Sequence, residues 1–251
     1  MRTNFIYNLL FYVGLVLMTS DVDAQIRHGT ITYEITINLD KRFPSNNQGP
    51  SRWGNSRRQN STAGAQYLKE KASLYFNDTM SLFVTHPSEN MSDLNRTFIT
   101  QTMINFNSNE LTTYINLFGE EFLILDSLPN RVWKFTSRER LIAGKMAKQA
   151  ITQVNDSTTI YAWFDPDFYY SIGPESYSQL PGAILGLAYE DGSITYFATE
   201  IERDYPDIQS EIPTQKVRNS KSRSEFINEF IKKYDASHRY YQLIKDMLIF
   251  F

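Results

Sequence analysis

Apolar side chains recur at every second position through most of this chain, a period that predicts strands rather than helices. From Gly29, GTITYEITINLD puts Ile31, Tyr33, Ile35, Ile37 and Leu39 on one parity. Thr30, Thr32, Glu34, Thr36 and Asn38 take the other, so the segment reads as a strand with one buried face. Residues 73–85 read as a hairpin or bulged strand about Asn77-Asp78, and residues 97–106 and 111–118 as strands joined by Asn107-Ser108-Asn109. Residues 122–126 are expected to pair with 132–136 across SLPNR, and 142–154 with 158–164 across Asn155-Asp156-Ser157, where Asp165-Pro166 stops the strand.

The stretch SYSQLPGAILGLAYEDGSITYFATEIE ends the series. Its run 183–189 has almost no polar alternation, which predicts cover on both faces, and Asp191-Gly192 predicts a hairpin to 194–201. Leu180-Pro181-Gly182 reads as a type II turn into that run. These residues are scaffold: substituting Gly182 or Gly192 is expected to cost about 1 kcal/mol or more of stability before any activity is touched. Only the C-terminus carries helical spacing, residues 222–248, opened by the capping box Ser222/Glu225 and striped by Phe226, Ile227, Phe230, Ile231 and Tyr234. The fold class predicted is mainly β, a large curved or partly closed antiparallel sheet with a C-terminal α-helix over one face or edge.

At the N-terminus, Arg2, the apolar residues 5–18 and Val22-Asp23-Ala24 read as a signal peptide, 1–24, followed by a single β-rich domain, 25–251. The apolar run is shorter than the roughly 20 residues that a membrane-spanning helix needs. A Gly-, Ser-, Asn- and Pro-rich insertion occupies 42–66. Export combined with an absence of cysteine predicts a periplasmic or secreted chain without disulfides, lipid-bearing cysteine or stable membrane insertion. With 25 basic and 28 acidic residues, net −3, the charge balance argues against a sequence-independent hold on nucleic acid, and Arg52, Trp53, Arg57 and Arg58 read as a solvated loop.

Candidate chemistry is sparse. His28, His86 and His238 have no ligand spacing, so no metal and no cofactor is expected and no catalytic residue is assigned. Asp165, Asp167 and Glu175 are the only carboxylate grouping that suggests acid and base chemistry, and turn geometry explains them more cheaply. Among the aromatics, Tyr161 and Trp163 are assigned to the core of a strand. Phe168, Tyr169, Tyr170 and Tyr177 are left as the ligand-binding candidates on a loop.

Gln179-Leu180-Pro181-Gly182-Ala183-Ile184 resembles the hexapeptide Gly-Leu-Pro-Gly-Leu-Ile of the GLPGLI family of exported Bacteroidetes proteins. YEITI, FLILD with VWKF, IAGKMAKQA, IYAWFDPDF and IGPESYSQLPGAILGL occur in that family's order. Gln179 and Ala183 depart from the hexapeptide, and Met146-Ala147 stands where many relatives carry a cysteine. The resemblance implies an envelope protein without an established activity, often accompanying outer-membrane transport systems. The expected function is a non-catalytic periplasmic binding or accessory module for an outer-membrane protein or an apolar ligand. An envelope hydrolase using Asp165, Asp167 or Glu175, and a structural assembly factor, are the alternatives.

Overall fold

The computed structural model describes residues 25–42, 66–87, 99–117, 119–155, 158–212 and 220–233. The expected leader, the interior of the 42–66 insertion, the basic loop with Arg52 and His238 lie outside these residues. Among the described residues twelve strands form one sheet. They are β1 (Gly29–Asn38), β2 (Tyr67–Phe76), β3 (Met80–His86), β4 (Ile99–Asn105), β5 (Glu110–Leu117) and β6 (Glu120–Ser127), then β7 (Lys134–Ile142), β8 (Lys145–Asn155), β9 (Thr158–Asp165), β10 (Ala183–Tyr189), β11 (Ile194–Glu202) and β12 (Ser220–Lys221). Helices α1 (Leu39–Arg42), α2 (Ile208–Glu211) and α3 (Arg223–Lys233) complete it.

The strand order is β12-β6-β5-β4-β3-β2-β1-β11-β10-β9-β8-β7. All neighbours are antiparallel except the short β12–β6 pair. The sheet is not closed, yet it must be strongly curled. β6 and β7 lie ten strand intervals apart, roughly 48 Å in a flat sheet. The connection Leu128–Trp133 reaches at most roughly 25 Å fully extended.

This topology corrects the expected hairpin between residues 122–126 and 132–136. β6 pairs with β5 and β12, while among the described residues β7 pairs only with β8 at the far end of the sheet. SLPNR has the composition of a turn but serves as a strap across the curl. The turn after β7 is instead Ala143-Gly144, whose φ values of 47° and 77° suit a two-residue hairpin.

Register explains the core. Ile35 stands beside Tyr196, Leu187 beside Tyr196 and Ala162, and Leu74 beside Ile31 and Phe83, so one parity of six neighbouring strands shares the inner face. Ile31, Tyr33, Ile35, Ile37, Phe76 and Tyr196 are fully buried there. Burying each such side chain contributes about 1.5–3 kcal/mol. α3 closes part of this face: Ser222 Oγ accepts the Glu225 N–H and Glu225 Oε2 accepts the Ser222 N–H, as the capping box predicts. Phe226 meets Phe122 of β6 edge to face at 5.2 Å. The expected continuation of the helix to 248 lies beyond the described residues.

The β10–β11 turn falls where the flanking runs place it. Residues 190–193 form it, the Gly192 N–H donating to the Tyr189 carbonyl at 2.8 Å and Asp191 Oδ1 accepting the Ser193 N–H. Gly192 takes φ +69°, and a Cβ there would meet only the mobile end of Lys41, at 3.1 Å. Gly192→Ala should therefore cost about 1 kcal/mol, the price of a left-handed alanine alone, read as a shift in the denaturant midpoint.

Candidate functional site

The β9–β10 connection, residues 166–182, is not an exposed loop. Ile172 to Ser178 are all buried on the inner face, where unsatisfied backbone groups would be expensive. Chain pairing meets part of that demand: the Ile184 N–H donates to Ile172, and Tyr177 N–H to Pro174. The strap from β6 to β7 supplies more. Arg131 donates through Nη1 to the Ser176 carbonyl at 3.1 Å and through Nη2 to Ser176 Oγ at 3.0 Å, and its guanidinium lies 4.4 Å over the Tyr177 ring. Trp133 Nε1 donates to the Ser178 carbonyl at 2.9 Å.

A buried polar cluster lies beneath. Tyr196 OH donates to Glu175 Oε1 at 2.5 Å, and the Tyr177 and Tyr189 hydroxyls are 3.4 Å apart. Burial, ahead of any charge effect, lifts the Tyr177 hydroxyl to about 12 and that of Tyr189 well above its ordinary range. Burial also pulls the Arg131 guanidinium below its ordinary value.

These shifts make an alkaline prediction. A folded-state value raised above the unfolded one favours folding below the unfolded value, near pH 10, and that contribution disappears as pH climbs through the folded value. Stability should therefore fall between pH 10 and about 12, by on the order of 3 kcal/mol from Tyr177 alone. Chemical denaturation at stepped pH measures it, and Tyr177→Phe should flatten the slope.

The aromatic candidates separate. Phe168 and Tyr177 are core residues, Phe168 packing on Phe76 at 5.8 Å. Tyr161 and Trp163, assigned to the core from sequence, are only half-buried and lie on the opposite face, because Ile160, Ala162 and Phe164 hold the inner parity of β9. Tyr169 is exposed, with Arg27 3.8 Å over its ring. Tyr170 donates to Asp78 Oδ1 at 2.9 Å and stacks on Phe106 at 4.6 Å, so it alone of the four both reaches the surface and lines a cavity.

The carboxylates do not converge as a trio. Asp165 is buried and caps the Asp167 N–H at 3.1 Å, burial raising its carboxyl above the ordinary range, and Lys145 lies 3.8 Å from it and 2.8 Å from Asp167. Glu175 belongs instead to the tyrosine cluster. His86 shares a 3.0 Å hydrogen bond with Ser73, and His28 packs on Tyr205. Among the described residues no group of three or more histidine, aspartate and glutamate side chains is placed to hold a metal.

A cleft of about 520 Å³ lies where the β4–β5 turn and the end of β6 meet the β9–β10 connection, which plugs the inner face of the sheet. Ile104, Phe106, Leu128 and Tyr170 give it apolar walls, and Asn109, Ser127, Ser171, Ser178 and Gln179 give it amides and hydroxyls. Among the described residues no carboxylate, lysine or arginine lines it. Ser171 Oγ is buried with no hydrogen-bond partner among the described residues. Asn109 and Gln179 hold left-handed backbones, φ 55° and 69°, unusual for residues with a side chain. Gln179 Oε1 accepts the Arg131 backbone N–H at 2.7 Å, which gives the side chain a role a glycine there lacks. Sequence reasoning missed Asn109 and the serines, because nothing local marks them as neighbours of Tyr170.

Leu180-Pro181-Gly182 makes a tighter turn than type II: the Gly182 N–H donates to the Leu180 carbonyl at 2.8 Å, a three-residue γ-turn. The motif is architecture, as expected, and delivers the chain into β10.

The class defined by these features is an open, curled twelve-stranded antiparallel sheet filled by its own β9–β10 segment. Solved structures of PNGF-II are similar in fold. The C2 crystal form matches with a TM-score of 0.53 and 19% identity over 82% of this chain and 33% of that one. The P21 form gives 0.51 and 20% over 80% and 32%. This chain thus spans about a third of that protein, and at such identity the likeness shows the fold alone. No protein-family model matches the chain, and no curated protein does.

Proposed function

We propose that this chain is an exported, non-catalytic binding module of the cell envelope, and that the cleft beside Tyr170 takes an uncharged polyhydroxylated ligand of the saccharide class. The observation that carries the reading is the lining: aromatic and aliphatic walls, two planar amides and three serine hydroxyls, with no charged side chain among the described residues. Rings supply flat apolar contact, and amides offer both donors and acceptors to hydroxyl groups. Of the three serines, Ser171 has a buried hydroxyl with no hydrogen-bond partner among the described residues. Export rests on the leader-like residues 1–24 and the absence of cysteine. No described helix is long and apolar enough to cross a membrane.

The carboxylates give the hydrolase alternative no support, since Lys145 occupies Asp165 and Asp167 while Glu175 is bound inside the core. A titration of neutral oligosaccharides, uronate-containing oligosaccharides and fatty acids, followed by NMR, tests the reading. Neutral oligosaccharides should shift the amides of 104–109 and 170–179. Asn109→Gly keeps the left-handed backbone while removing the amide, and should weaken binding at least tenfold with unchanged thermal stability. Binding of fatty acids alone, or shifts elsewhere on the sheet, would refute it.

A further inference from the structure

The β7–β8 hairpin combines three features that together specify a partner. First, β7 is an end strand: among the described residues only β8 pairs with it, and of its outer backbone only the Arg138 N–H has a described side-chain partner, Thr136 Oγ1 at 3.2 Å. Second, the exposed large apolar side chains concentrate here. Phe135 is 59% exposed, Leu141 66% and Met146 56%, with Val132 just before the strand at 81%. Leu141 pairs directly with Met146, and Phe135 with Ala150 four residues further along β8, so the three share one face. Third, residues 134–148 carry Lys134, Arg138, Arg140 and Lys148 against Glu139 alone, Lys145 being taken up by Asp165 and Asp167, on a chain whose net charge is −3.

Natural sheets commonly protect an open edge with charge and a bulge, and β7 has both, its register shifting between Phe135 and Glu139. Protection does not explain the exposed apolar strip, which raises the risk of association rather than lowering it. The tip is also firmly held: Arg140 lies 4.2 Å over the Phe197 ring, and Ile142 is buried against Gly186. Residues 139–142 therefore present a fixed ladder rather than a loose arm.

We infer that β7 is a docking edge for an acidic, extended segment of another protein, which adds as a strand. Backbone bonds to the open edge give the pairing, alternate apolar side chains of the segment lie beside Phe135 and Leu141, and its carboxylates answer the hairpin's positive charge. A second copy pairing edge to edge would bring like charges together, which disfavours it. A lipid surface would use the charge and the apolar strip but leave the open backbone unpaired, which favours a strand.

The test uses the purified protein and a fluorescent peptide of alternating valine and glutamate. Its controls are the same peptide N-methylated along one edge, a valine-lysine peptide, and phosphatidylglycerol vesicles. The acidic peptide should bind at least tenfold more tightly than either peptide control, weaken with salt, and slow hydrogen exchange at the amides of 139–142. Leu141→Glu with Met146→Glu, both solvent-exposed, should abolish binding without changing the denaturation midpoint. Equal binding of the N-methylated peptide, absence of peptide binding, vesicle binding alone, or protection of the same amides by self-association would overturn the inference.

Discussion

Gly182→Ala is expected to be the most damaging small substitution in the molecule, costing roughly 4 kcal/mol where Gly192→Ala costs about 1. A Cβ at Gly182 would stand 2.0 Å from the Asp165 carbonyl oxygen, 2.7 Å from its carbon and 2.9 Å from Pro166 Cα. All three are backbone atoms, which no rotamer change can move. The residue also holds φ +124°, a region that side chains seldom enter. Overpacking contributes about 1–3 kcal/mol and backbone strain a similar amount, a large share of the roughly 5–15 kcal/mol that holds a domain folded. The clash lies where β9 and β10 separate, with Ala183 paired to Asp165, so relief would peel the plug from the sheet. Urea denaturation of the two variants side by side provides the measurement. Equal losses for both glycines would show that Gly182 is held by local conformation alone and not by this contact.

The contrast between these glycines marks what sequence could and could not reveal. Asp-Gly announces a turn through local chemistry, and Gly192 sits in one. The close approach at Gly182 arises from β9, and its severity depends on a strand seventeen residues earlier. Parity in β1 was equally legible, since Ile31 to Ile37 alternate strictly and the sheet buries that face. The capping box at Ser222 was legible for the same reason, all its partners lying within one turn.

The burial of residues 172–178 was not legible because Ser, Pro, Gly and Tyr are also the composition of a surface loop. Their burial depends on Arg131 and Trp133, 45 residues away, which satisfy the backbone that burial would otherwise orphan. The strap itself was misread because SLPNR suits a hairpin, and only the curl of the whole sheet decides that β6 and β7 are not neighbours. Tyr170 was found among the ligand candidates for its amphipathic ring. Its cleft neighbours Asn109 and Gln179 were missed because a left-handed backbone at a residue with a side chain leaves no mark in the sequence.

Removing Arg131 should show how far the plug depends on that strap. Arg131→Ala withdraws two hydrogen bonds from Ser176 and the cation from over Tyr177, and it takes away positive charge from the neighbourhood of buried Glu175. Breaking a buried charge arrangement from one side costs about 3–5 kcal/mol, because the remaining partner keeps its desolvation penalty. Arg131→Lys should recover less than half of that loss, since an ammonium cannot offer two donors in the planar geometry that meets the Ser176 carbonyl and hydroxyl together. Glu175→Leu alone leaves Tyr196 without its acceptor and should cost about 2–3 kcal/mol, with no added backbone strain, since both side chains face the same left-handed φ of 54°. The double variant Arg131→Met with Glu175→Leu tests the coupling. If the two charges compensate each other inside the core, its loss should fall at least 1 kcal/mol short of the sum for Arg131→Met and Glu175→Leu. Strict additivity in denaturant midpoints would mean that Arg131 acts only through Ser176 and Tyr177, and that Glu175 is held by Tyr196 without help from the strap.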